Sequence, residues 1–148
     1  MGLDMYLSAK KYVREWHDDD KELANELKDL KSANTKGFPI KEITVDAMYW
    51  RKANQIHNWF VKNCQDGNDD CKEYWVSRVK LEDLRNICLK TLLGELDENK
   101  YLPTQEGFFF GSTEYDNFYF KDLQHTVKGL DKVLELDDTW DFYYRASW

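Results

Sequence analysis

Arg51, Lys52, Asn54, His57 and Asn58 crowd into one short run between Trp50 and Trp59. A guanidinium and an ammonium can hold an anion, and carboxamides give directional hydrogen bonds. An imidazole can move a proton near neutral pH. Further along, Gly111-Ser112-Thr113 leads towards a helix start, where free backbone N–H groups favour an anion. Trp50 and Tyr115 add flat apolar area of the kind that stacks on a base. Trp50, Arg51, Lys52, Asn54, His57, Asn58, Ser112, Thr113 and Tyr115 are therefore the candidate binding residues. Their chemistry suits a nucleotide or a phosphorylated small molecule.

Catalysis has less to work with. His57 has no Asp or Glu one helical turn away, so it reads as a core-edge histidine bonded to backbone. His17 and His125 lie among charges in exposed segments. Cys64 follows His57 by two turns, about 10 Å along a helix and too far for a nucleophile pair. His57, Cys64 and Cys71 lack the paired spacing of a zinc site. Asp66-x-Asn68-x-Asp70 opens like a calcium loop, but Cys71 stands where glycine is needed and Ser77 where the closing glutamate belongs. There is no P-loop or dinucleotide fingerprint. No catalytic residue, metal or cofactor is assigned, and binding is favoured over reaction.

At 148 residues the chain is expected to form one domain, 1–148, with a core of its own. Aromatic residues make up 16%, too many for the interior alone, so some should reach the surface. The net charge of -7 argues against direct contact with nucleic acid and allows steering of a basic protein partner. Three cysteines, odd in number and without CxxC spacing, read as free thiols of a reducing compartment. No apolar run is long enough to span a bilayer and no basic-then-apolar leader opens the chain. The expected location is the cytoplasm.

These residues must be positioned by a small set of elements. Residues 2–13 read as a strand, and Leu23, Leu27 and Leu30 stripe a helix over about 20–32. A weak alternation over 40–46 reads as a short strand. A helix over 47–63 follows, with Ala53, Ile56 and Phe60 buried and Arg51, Asn54, Gln55, Asn58 and Lys62 on the opposite, polar side. A strand over 72–77 leads to Ser77, which caps a helix over 78–95. Gly107 to Gly111 reads as an aromatic strand, then come a helix over 117–135 and a closing strand over 140–148. The class is α+β (mixed α/β), with about four helices on a sheet of four to five short strands.

Met1 to Leu7, Tyr49 to Phe60, Leu102-Pro103-Thr104, Gly107 to Asp116 and Ser147-Trp148 together resemble a family of small proteins encoded by bacteriophages and prophages. The resemblance spans nearly the whole chain and carries no catalytic residues with it. It implies a cytoplasmic protein of the infected host that binds and inhibits a host or anti-phage defence protein, or sequesters a nucleotide signal. The alternative is a small enzyme acting on a nucleotide or phosphorylated metabolite through Arg51, Lys52 and His57.

Overall fold

The computed structural model describes residues 2–148. Its elements run β1 (Asp4–Tyr12), α1 (Lys21–Lys28), β2 (Glu42–Arg51), α2 (Asn54–Cys64), β3 (Tyr74–Val76), α3 (Arg78–Leu92), α4 (Glu98–Tyr101), α5 (Asn117–Val133) and β4 (Asp141–Ser147). The four strands form one antiparallel sheet in the order β2-β1-β4-β3. The fold is α+β.

Alternation along β1 decides which face is covered. Leu3, Met5, Leu7 and Ala9 are fully buried, while Tyr6, Ser8 and Lys10 point to the other face. Met48 and Trp50 of β2, Val76 of β3 and Phe142, Tyr144 and Ala146 of β4 complete the buried side. Ile56 and Phe60 of α2, Leu81, Leu84 and Cys88 of α3, and Leu123 and Leu130 of α5 pack onto it. The Phe60 ring stacks on Tyr144 with centroids 3.9 Å apart. On the other face Lys10 lies over the Tyr143 ring and Arg145 over Tyr6. Helix α5 crosses β2 so closely at Gly129 that a side chain there would overlap Met48.

Ser77 caps α3 where the sequence puts it, and Asp116 caps α5. Ser77 Oγ accepts from Lys80 N at 3.2 Å, and Asp116 Oδ1 accepts from Phe118 N and Tyr119 N at 2.9 and 3.1 Å. Among the described residues no helix is long and apolar enough to cross a membrane. Cys64, Cys71 and Cys88 are free thiols.

Two elements differ from the sequence reading. Tyr49, Trp50 and Arg51 belong to a strand, and the helix expected over 47–63 begins only at Asn54. A bulge is the cause. Leu7 pairs with Met48 but Ser8 pairs with Asp46, so Ala47 is an extra residue in β2. The inward parity changes there from Ile43 and Val45 to Met48 and Trp50, and this phase slip hides the strand's alternation. Gly107 to Gly111 is a turn rather than a strand. Phe109 takes a left-handed φ of 71°, Phe108 is 82% exposed, and Phe110 is pressed into the core edge-on to His57.

Candidate functional site

The join between β2 and α2 is a single tight turn at Lys52. Its φ is 57°, a conformation that a residue with a side chain rarely adopts. Lys52 N donates to Leu3 O at 2.7 Å, and Leu3 N donates to Phe109 O at 3.3 Å. The turn is thereby laid across the end of β1 and against the 107–111 loop. Gly111, itself at φ 90°, faces it so closely that a Cβ there would stand 3.1 Å from Lys52 Cβ. This packing turns the side chains of Arg51 and Lys52 outward at the end of an edge strand.

The outcome is a cleft of about 250 Å³ between the Lys52 turn, the start of α2 and the first turns of α5. Arg51 and Lys52 form its rim, and neither makes an ion pair among the described residues. Gln55 and Asp122 lie within it, with Ser112, Glu114 and Phe118 around them. Gln55 Nε2 reaches Tyr119 O and Asp122 Oδ2, each at 3.3 Å. Burial holds the Asp122 carboxyl above the usual carboxylate range, against the opposing pull of the Gln55 hydrogen bond and of His125. A shifted carboxyl and two cations lining one concave site make this cleft the candidate binding site.

Of the nine candidate residues, the structure brings Arg51, Lys52 and Ser112 together in this cleft. The others are used internally. Trp50 is 2% exposed, and its indole N–H donates to Thr126 Oγ1 at 2.9 Å. Asn54 and Asn58 are buried rather than lying on a polar exterior. Asn54 Nδ2 donates to Phe110 O and Ser112 O at 3.1 and 2.9 Å, and its Oδ1 accepts from Gln105 N at 2.9 Å. Asn58 Nδ2 donates to Pro103 O at 3.1 Å. Thr113 contributes its carbonyl to Thr104 Oγ1, and the Tyr115 hydroxyl accepts from Thr104 N at 3.3 Å. These polar groups satisfy an irregular 102–116 segment that has no sheet ladder of its own.

His57 corrects the sequence reading most sharply. It is 1% exposed, and its partners are side chains rather than backbone. Nδ1 lies 2.8 Å from the Tyr144 hydroxyl and Nε2 lies 2.9 Å from Asp69 Oδ2. With Nε2 protonated towards the carboxylate, Nδ1 accepts the tyrosine proton, and a neutral ring satisfies both neighbours. Trp148 Nε1 donates to the other Asp69 oxygen at 3.0 Å. The carboxylate comes from the loop beyond α2, so spacing along the helix could not reveal it. His57 and Asn58 line a separate depression of about 290 Å³ with Lys62, Asp69 and Gln105.

Sequence reasoning missed Asp122 and Phe118, because α5 shows only its apolar stripe before folding. Gln55 was placed on an exposed side of α2 and instead is 2% exposed on the cleft. No group of three or more His, Cys, Asp or Glu able to hold a metal occurs among the described residues. No protein-family model matches this chain, and neither a curated protein nor a solved structure matches it.

Proposed function

We propose that the protein is a binding protein whose Arg51–Lys52 cleft takes a nucleotide-like ligand, with the anionic group at the rim and a hydrogen-bond-donating group at the floor. One observation carries this reading: two exposed cations, Arg51 and Lys52, line the same concave cleft as the half-buried Asp122 carboxyl. The separation of His57 from Arg51 and Lys52, in a depression of its own, favours capture over reaction. In the cytoplasm of an infected host, such a protein would sequester a nucleotide signal.

The test is a titration of ¹⁵N-labelled protein with adenosine monophosphate and with inorganic phosphate. Saturable amide shifts centred on Lys52, Gln55, Ser112 and Asp122 are expected. The absence of saturable shifts at millimolar ligand, or shifts confined to His57 and Asp69, would oppose the reading.

A second reading is docking to a host or defence protein. It is favoured by Phe108 and Phe118, which are 82% and 74% exposed. Exposed aromatic side chains of this size are common anchors in protein interfaces. Changing Phe108 and Phe118 to Ser should then abolish capture of a specific host protein while the chain stays folded.

A further inference from the structure

Gln55 and Asp122 bring acceptors to the cleft, and neither keeps a free donor there. Gln55 is 2% exposed, and its Nε2 is committed to Tyr119 O and Asp122 Oδ2. Its Oε1 and the second oxygen of Asp122 take part in no side-chain hydrogen bond among the described residues, and both are open to solvent in the cleft. Both residues line the cleft. A carboxamide held in place by two hydrogen bonds, with its oxygen open to the cleft, can accept from an incoming donor. Beside it a desolvated carboxylate gains more from two parallel N–H groups than it would in water.

Resting on the cleft reading above, we infer that Gln55 and Asp122 recognise the N1–H and N2–H₂ edge of a guanine base, in a guanosine monophosphate whose phosphate meets Arg51 and Lys52. Among the common bases only guanine sets an imino and an amino donor side by side. Adenine alternates a donor with an acceptor, and uracil places its single N–H between two carbonyls. An acceptor-only floor rejects both by leaving buried polar atoms facing one another. Phe118, on the same cleft, supplies an exposed ring face for the base. Glu114 on that wall disfavours a ligand that is anionic along its whole length, so the negative charge has to lie at the Arg51–Lys52 end. Asp116 Oδ1 is engaged in capping α5, and its second oxygen adds a further acceptor to the cleft wall.

The test is calorimetric titration of wild type and Asp122→Asn with guanosine, adenosine, uridine and xanthosine monophosphates, inorganic phosphate and agmatine. Wild type should bind guanosine monophosphate at least about tenfold tighter than the adenosine and uridine compounds. Asp122→Asn exchanges one acceptor for a donor. It should lose about tenfold or more for guanosine monophosphate and gain for xanthosine monophosphate, whose second carbonyl replaces the amino group. Equal affinity of wild type for all four nucleotides would overturn the guanine assignment and leave an anion cleft standing. Tighter binding of agmatine than of guanosine monophosphate would overturn it in favour of a guanidine ligand. No binding by any probe, phosphate included, would remove the cleft reading as well. If Asp122→Asn does not fold, the selectivity of wild type decides alone.

Discussion

Gly111 and Lys52 face each other with both backbones in the left-handed region, at φ 90° and 57°, and a Cβ on the glycine would lie 3.1 Å from Lys52 Cβ. The cationic rim is set by this contact more than by the rim's own side chains. Gly111→Ala must strain its own backbone and push Lys52 aside. A loss of about 1–3 kcal/mol is expected in a urea titration, together with weaker ligand binding. Unchanged stability and unchanged binding would mean that the turn is not held from the 107–111 loop.

Tyr144→Phe separates the His57 network from the cleft. The hydroxyl is buried, and its removal leaves His57 Nδ1 without its partner. A cost of about 1–3 kcal/mol is expected by urea denaturation, with nucleotide affinity unaltered. A folded variant that lost its affinity would bring His57 back into the site and revive the enzymatic alternative.

Much of the scaffold was legible beforehand. Alternation gave β1, the Ser77 cap gave the start of α3, and helical spacing gave α5, because each signal is local in sequence. The bulge at Ala47 and the turn at Lys52 were not legible. A bulge erases the period that identifies a strand, and a lysine carries no mark of a left-handed turn. At the site, Arg51, Lys52 and Ser112 stood out by residue type. Asn54 and Asn58 stood out equally, yet they bond the chain's own loop. Composition cannot distinguish a carboxamide waiting for a ligand from one satisfying a backbone carbonyl far along the chain. Asp122 was missed because Gln55 reaches it from another helix only on folding.

The three thiols should differ widely in reactivity. Burial pushes the Cys64 thiol up to about 11 and raises Cys88 further, while Cys71 is only part-buried. Unreduced, denatured protein should titrate three thiols per chain, and native protein at pH 8 should react rapidly at Cys71 alone. Finding one thiol after denaturation would reveal a disulfide and contradict the free assignment.

Asp122 carries a cost that depends on pH. Burial raises its carboxyl in the folded chain, so over the window between the unfolded value of about 3.9 and the raised folded value the folded state binds more protons. Stability falls as pH rises through that window, and the loss persists above it. Asp122→Asn removes the charge while keeping an acceptor for Gln55. The variant should melt above wild type at pH 7, and the difference should close as pH falls through the same window. A variant that melts lower at pH 7 would show that the charge stabilises the fold. A gain in stability with a loss of ligand is the usual mark of a group kept for function.

The central claim is that Arg51 and Lys52 hold the anionic end of a ligand. Calorimetric titration of guanosine monophosphate at low ionic strength into wild type and an Arg51→Ala, Lys52→Gly double variant tests it directly. Glycine at 52 accepts the left-handed turn, so the variant should melt no lower than wild type. Saturation at one site per chain in wild type, with affinity at least about tenfold weaker in the variant, is the result expected for two lost charge-assisted contacts. Equal affinity in the two folded proteins would contradict the claim and place the ligand, if there is one, away from this cleft.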